Sequence, residues 1–465
     1  MKFFNTMTRT KEDFIPLHTG EVRLYTCGPT VYSRIHIGNF KTFLFEDILV
    51  RYLKYKGFKV HQVMNITDID DKTIRASRER NIPLSQVTDP YIDIFHTDRK
   101  ALYIVDAEIF PRATLYIQSM VELVIKLLDK GHAYKAPDNS IYYSISTFKD
   151  YGKLAHLDMS TLQSGASGRV ASDEYEKESI SDFALWKAWD DSDGDVFWET
   201  ELGKGRPGWH IECSAMSMQH LGETLDIHTG GVDNIFPHHQ NEIAQSEGAT
   251  GKTFTRYWMH SYHLMVDGAK MSKSLGNFYT LEDLVKRGVM PEMFRFFVTT
   301  NHYRTSLNYT EEAVRAAGKA REGLLEFVER VKAVPDRTDK FDVQPVLKDM
   351  FKKFEEGMDD DLNTPVAIAA VFDASRAINK AIDEEIIGSN ARDSILAAMN
   401  RVNSVFGFLE GSELEIPDEI KILLEERDFA RKNKDWTLSD KIRDNIFDMG
   451  FNVKDTPQGQ RVSKR

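Results

Sequence analysis

Two cysteines occur in 465 residues, Cys27 and Cys213, and both are expected in glycine-containing loops at strand ends. Zinc takes thiolate, imidazole and carboxylate ligands, usually four. A His-His-x-x-Glu segment, His238-His239-Gln240-Asn241-Glu242, lies 25 positions beyond Cys213. On a helix His238 and Glu242, four apart, share one face. Cys27, Cys213, His238 and Glu242 are therefore a candidate zinc set. At that spacing His239 is expected to face elsewhere. The spacing is not a C-x-x-C pair, so two separate buried thiols are the competing reading.

A second chemistry is phosphate binding. His36 and Gly38, in His36-Ile37-Gly38-Asn39, stand where a turn meets a helix. There an imidazole and free N–H groups can meet an anion. Lys270 and Lys273, in Lys270-Met271-Ser272-Lys273-Ser274-Leu275-Gly276-Asn277, sit in a loop able to close on polyphosphate. Two ammonium groups there would stabilise charge growing on a leaving pyrophosphate. Either segment alone reads as solvated surface; together they point to a nucleotide. Asp68, Asp70 and Asp71 either hold Mg²⁺ or a substrate ammonium, or cap the next helix.

The elements that must position these groups follow from periodicity. Val22–Tyr25 reads as a buried strand. Gly28-Pro29 breaks it, and Phe40, Phe43, Leu44, Ile48, Leu49 and Leu53 mark a helix face. Lys59–Ile66 reads as a second strand. Strand, turn, helix, strand is a βαβ unit, and open α/β sheets bind nucleotides at such a turn. Leu225–His228 reads as a strand end leading into the turn Gly230-Gly231. Residues 110–200 read as an insertion, opening with an amphipathic helix over Ala113–Lys130. Residues 162–178 are polar and read as a mobile loop. Asp190-Asp191-Ser192-Asp193-Gly194-Asp195 lacks the closing glutamate of a calcium loop and reads as a solvated turn. From Glu311, long helices over 313–334, 346–356, 365–381 and 391–407 form an all-helical bundle.

The chain is too long for one core, so two to four domains are expected. Without an apolar run near 18 residues or a signal peptide, the protein is expected in the cytoplasm. A net charge of −12 argues against indiscriminate nucleic-acid binding. Residues 421–465 depart from it, with 11 Lys/Arg against 8 Asp/Glu. Basic side chains around Trp436 suit a single-stranded loop, through phosphate contacts and base stacking. A Trp that packs a small domain is the plainer alternative.

Together these segments carry a resemblance. His36–Asn39 is similar to the HIGH signature of class I aminoacyl-tRNA synthetases, and Lys270–Ser274 is the KMSKS signature. Cys27-Gly28-Pro29-Thr30-Val31-Tyr32, Gly208–Ser214, the Gly-Gly-x-Asp at 230–233 and Phe236–Glu242 resemble cysteinyl-tRNA synthetases, over nearly the whole chain. The resemblance implies an α/β fold: a Rossmann-like parallel-sheet catalytic domain over 1–265 with the insertion, and a KMSKS-containing connective region over 266–310. The helical bundle over 311–410 and a small C-terminal anticodon-binding domain over 411–465 follow. It implies activation of L-cysteine with ATP and transfer to the 3′ end of tRNA(Cys) by a monomer, with Mg²⁺ accompanying ATP.

By the same resemblance, Cys27, Cys213, His238 and Glu242 hold one zinc. A soft thiolate binds zinc far better than a hydroxyl does. Substrate sulfur on the metal would therefore reject serine, beyond what shape supplies. His36, Asn39, Lys270 and Lys273 are implied to be catalytic, with Gly38, Gly230, Gly231 and Asp233 at the nucleotide. Asn39 replaces the signature's second histidine; it can donate a hydrogen bond but carries no charge. Thr67, Trp209 and His228 are implied to line the cysteine pocket, and Arg427, Arg431, Trp436 and Asp440 to contact tRNA. Two rivals remain: a paralogue that acylates an amino sugar in thiol biosynthesis, and a non-catalytic zinc-containing RNA-binding protein. The tail at 411–465 weighs against the first, and Lys270 with Lys273 against the second.

Overall fold

A computed structural model describes residues 1–157, 182–271, 276–409, 417–456 and 459–464. The loop expected at 162–178, Lys273 and residues 410–416 lie outside them. The chain divides into two units, residues 1–285 with 289–409, and residues 286–288 with 410–465. Among the described residues no helix is long and apolar enough to cross a membrane.

The first unit opens on a hairpin, β1 (Lys2–Asn5) and β2 (Thr10–Asp13). β3 (Glu21–Thr26) then begins the expected βαβ unit, followed by helix α1 (Ile37–Tyr55) and β4 (Lys59–Met64). β3 and β4 pair in parallel, and Leu24, Tyr25, Val63 and Met64 are buried. A one-sided sheet would alternate buried and exposed positions; continuous burial marks a parallel sheet covered on both faces.

The insertion is an antiparallel sheet of β5 (Ala133–Lys135), β6 (Ile141–Tyr143), β7 (Phe183–Ala188), β8 (Trp198–Thr200) and β9 (Gly203–Pro207), in the order β5-β6-β7-β9-β8. Its leading helix spans Ile117–Asp129 rather than starting at Ala113. A single 3₁₀ turn over Ala113–Leu115 precedes it and leaves Leu115 74% exposed. The acidic turn is not simply solvated. Asp193 is buried and accepts from Arg206 Nε at 2.7 Å.

The chain re-enters the main sheet through helix Trp209–Leu221, β10 (Leu225–Gly231), helix Gln240–Thr250 and β11 (Thr255–Ser261). The order is β11-β10-β3-β4, all parallel. Connections leave β3 toward β4 on one side and β10 toward β11 on the other. The switch point therefore lies between the carboxyl ends of β3 and β10, where open α/β sheets bind ligands. The glycines at 230–231 are the last residues of β10, not a turn after it.

β12 (Leu264–Val266), β13 (Ala269–Lys270) and β14 (Leu307–Tyr309) make a small sheet that carries Lys270. Helices Glu311–Lys332, Gln344–Asp359, Thr364–Asp383 and Ser389–Phe406 follow. Their apolar faces join Leu24, Leu49 and Ile227 in one continuous core. Arg295 and Asp47, each buried, meet at 2.5 Å and tie helix Pro291–Thr299 to α1.

The second unit has helices Asp418–Lys432 and Trp436–Asp448 and the hairpin β15 (Phe451–Thr456) with β16 (Gly459–Lys464). Its core is Ile420, Ile442, Ile446 and Phe451.

Candidate metal centre and nucleotide cleft

A cleft of about 370 Å³ opens at the switch point. Cys27, Cys213 and His238 line its floor, and His36, Gly38 and Lys270 line it elsewhere. The turn after β3 is made by Gly28. A Cβ there would fall 1.7 Å from the Asn65 carbonyl oxygen, so no other residue fits. The Gly28 N–H donates to Asn65 Oδ1 at 2.9 Å. The end of β3 is thus pressed against the end of β4, and Cys27 is aimed inward.

The candidate zinc set assembles. One ligand atom from each of Cys27, Cys213, His238 and Glu242 lies within 4.8 Å of the others, and all four residues are buried. A second set, Cys27, His228, His239 and Glu242, shares two of them. The outer atoms decide between the sets. His238 Nδ1 lies 2.8 Å from His210 Nδ1, which turns Nε2 inward. Glu242 Oε2 lies 2.9 Å from His228 Nε2, leaving Oε1 without a hydrogen bond, 3.1 Å from His238 Nε2. Metal ligands are held in this way by groups behind them. In the second set, His228 Nε2 is itself the atom holding Glu242, and neither His228 nor His239 reaches the cleft. The first set fits a metal that must meet a ligand in the cleft.

The electrostatics agree. A hydrogen bond from the Cys27 thiol, together with His238, outweighs burial and lowers the Cys213 pKa to about 6. Burial pushes the Cys27 thiol up. Burial would also raise Glu242, but His228 and His238 hold it down at about 2. The four groups thus favour positive charge between a thiolate and a carboxylate, the charge a divalent cation supplies. Burial first, and then the neighbouring rings, drives His210 and His239 well below the usual histidine range and His260 to about 3, so all three stay neutral.

Three expectations are corrected here. Cys213 lies within helix Trp209–Leu221, not in a loop at a strand end. His239 does not face away: its Nε2 is 3.3 Å from Cys27 Sγ, and its Nδ1 is 2.8 Å from His260 Nε2. His228 does not line the cysteine pocket: it is fully buried behind Glu242, stacked on Trp258 at 4.7 Å. Trp209 and Thr67 do line the cleft. Trp209 stacks on His238 at 4.2 Å, and the Thr67 hydroxyl donates to Glu212 Oε2 at 3.0 Å. Glu212 is buried, and burial followed by the Cys213 charge raises its pKa well above the carboxylate range. His210, Glu212, His260 and Asn65 had no assigned role in the sequence. One signal existed: His210 and Cys213 are three apart on one helix face.

His36 is the N-cap of α1, its Nδ1 accepting from the Asn39 N–H at 3.2 Å. That bond fixes the tautomer and leaves Nε2 as the ring's donor. A Cβ on Gly38 would lie 2.6 Å from Met271 Cε, the end of a flexible side chain, and 2.9 Å from His36 Nδ1, so a side chain there would press on the capping ring. Asn39, Gly231 and Asp233 line the cleft, but Gly230 does not. Gly230 is a packing glycine, 2.9 Å from His239 Cε1 if a Cβ were added. The acids at 68–71 are committed elsewhere. Asp68 accepts from Arg112 and Thr114, Asp70 caps helix Asp71–Arg80, and Asp71 pairs with Lys187 and Arg206.

In the second unit, Arg427 is 1% exposed and its guanidinium donates to Asp455 and Gln460. It is spent on the unit's own interior, contrary to the expected tRNA contact. Trp436 is 56% exposed, with the Arg431 guanidinium 5.6 Å from its ring centroid, and Asp440 pairs with Arg443.

Known proteins match this architecture. Residues 13–319 fit the model of the class I (C) tRNA synthetase catalytic domain, 353–410 a DALR domain, and 414–462 the cysteinyl-tRNA ligase anticodon-binding domain. Cysteine–tRNA ligase of Protochlamydia amoebophila is 46% identical over 468 residues, covering 100% of this chain and 98% of that protein. That of Chlamydia caviae is 47% identical, covering 99% of this chain and 97% of that protein. Mycobacterium tuberculosis methionyl-tRNA synthetase in complex with methionyl-adenylate superposes with a TM-score of 0.63 at 15% identity, over 84% of this chain and 92% of that one, which shows the shared fold. By its full-length match, its catalytic-domain model and its C-terminal domain, the chain belongs to the cysteine–tRNA ligase family of class I tRNA synthetases.

Proposed function

We propose that the chain charges tRNA(Cys). The cysteine carboxylate attacks the α-phosphorus of ATP, forming cysteinyl-adenylate and releasing pyrophosphate. The 3′-terminal ribose hydroxyl of tRNA then attacks the adenylate carbonyl and releases AMP. One observation carries this reading: a buried thiol–imidazole–carboxylate cluster opens on the same cleft as His36 and Lys270. An amino-acid selector and a phosphate site side by side suit joining a thiol substrate to a nucleotide.

Cys27, Cys213, His238 and Glu242 would hold one zinc, which when bound supplies a Lewis-acid position for the substrate thiolate. His210 and His228 orient two of these ligands. Trp209 and Thr67 shape the wall against which cysteine lies. His36 Nε2 donates to phosphate, Asn39 offers its amide, and Gly231 and Asp233 border the ribose. Lys270, with Lys273 beyond the described residues, stabilises the departing pyrophosphate; Mg²⁺ accompanies ATP. The same reading takes the protein as a monomer, and tRNA charging suits the cytoplasm.

Cysteine-dependent ATP–pyrophosphate exchange, followed by charging of total tRNA, tests the reading. Both activities are expected. Absence of exchange would refute it, and exchange without charging would favour the amino-sugar paralogue. Trp436→Ala refines the test. An exposed indole beside a guanidinium suits base stacking, whose loss costs about 1–3 kcal/mol, so charging should fall about fivefold to 150-fold. Exchange should stay unchanged; if both fall together, Trp436 only packs its own unit.

A further inference from the structure

α1 carries a lysine that faces the interior. Lys41 is 2% exposed, and among the described residues no carboxylate pairs with it. Burying an ammonium without a counter-charge is costly unless every proton finds an acceptor. Here each does. Nζ donates to Ser261 Oγ at 3.1 Å, to the Tyr262 carbonyl at 2.5 Å and to the Tyr303 carbonyl at 3.1 Å. Burial pushes its pKa down to about 7.

The acceptors lie where β11 ends. Ser261 is its last residue, and the Tyr262 N–H donates to the same Tyr303 carbonyl at 2.9 Å. Ser261, Tyr262, His263 and Leu264 then form one wall of the cleft. The chain runs straight on through β12 to β13, which pairs Met265 with Lys270. At its other end α1 is capped by His36, and the Ile37 N–H donates to the Tyr279 carbonyl at 2.9 Å. One helix thus bears His36 at its tip and, five residues on, an ammonium clasping the root of the hairpin that presents Lys270.

We propose that Lys41 is a positioning residue for the nucleotide: through the Tyr262 carbonyl it fixes the wall 261–264 and the Lys270 hairpin against α1, so that His36 and Lys270 address one polyphosphate. The proposal rests on the reading of the cleft as an ATP site. A methionine could fill the same volume, but it would remove the ammonium donor from Ser261 Oγ and from the Tyr262 and Tyr303 carbonyls, leaving the Tyr303 carbonyl only its bond from the Tyr262 N–H, and let the wall shift. Displacement of about 1 Å in a reacting array costs as much as 10²-fold in rate.

The test is cysteine-dependent ATP–pyrophosphate exchange by the full chain, with ATP and cysteine varied separately and zinc measured. Lys41→Met should lower kcat/KM for ATP by about tenfold to a hundredfold. The cysteine KM and zinc content should stay within about twofold, and Lys41→Arg, which keeps the donors, should recover part of the loss. If Lys41→Met does not yield folded protein, Lys41→Gln is read by the same criteria. An ATP kcat/KM within about twofold of the parent, or a loss shared equally by cysteine KM and zinc, overturns the proposal. Absence of exchange in the parent chain overturns the functional reading and this proposal with it. Normal exchange in the parent with an indifferent variant overturns this proposal alone.

Discussion

Cys213→Ser is expected to strip the protein of zinc and of its preference for cysteine over serine. Cys213 is 1% exposed, and its thiol ionises more readily than usual because Cys27 donates to it. A hydroxyl at the same position stays protonated at neutral pH and offers a hard, weak donor. Bound zinc should fall from near one per chain to well below half. A pocket that tells sulfur from oxygen by shape alone achieves only about 10–200-fold discrimination. The parent should exceed that range in adenylate formation with cysteine over serine, and the variant should fall into or below it. Metal content unchanged from the parent would show that Cys213 is not a ligand. Circular dichroism separates the effect from unfolding.

His36 offers the second large effect. Its ring has two jobs in the proposed reading: Nδ1 caps α1 through the Asn39 N–H, and Nε2 donates to phosphate. Asparagine is among the best N-caps, so His36→Asn keeps the first job and removes the second. Loss of one donor to developing charge costs about 10²–10³ in rate. Exchange should fall by that factor in His36→Asn while thermal unfolding stays where it was. His36→Ala should lose the same activity and also about 1 kcal/mol of stability from the missing cap. A His36→Asn variant that retains exchange would leave His36 as a cap only.

The parts legible in the sequence are those that depend on local pattern. The βαβ unit follows from two apolar runs around an amphipathic helix, and Cys27 and His36 follow from the turn between them. His238 with Glu242 follows from a four-residue spacing. Distance from the pattern, or a break in it, accounts for the rest. His228 was expected at a strand end because two glycines follow it. The strand in fact continues through Gly231, which lowers His228 one layer beneath the cleft floor. His239 was aimed away by regular helical geometry. Residues Ile235–His239 instead contain a kink, with Phe236 extended at φ −137° and ψ 133°, before the helix begins. Arg427 looked like a tRNA contact in a basic run. Its partners Asp455 and Gln460 come from the hairpin that closes the chain, beyond any local window. Lys41 gave no signal, since its acceptors are two carbonyls and a hydroxyl more than two hundred residues away.

The central claim is that substrate sulfur joins a metal held by Cys27, Cys213, His238 and Glu242. Zinc K-edge X-ray absorption of the purified full chain, recorded with and without L-cysteine, tests it most directly. The account predicts two sulfur neighbours at about 2.3 Å without the amino acid and three with it, while L-serine changes nothing. A sulfur count that stays at two when cysteine saturates the protein would contradict it.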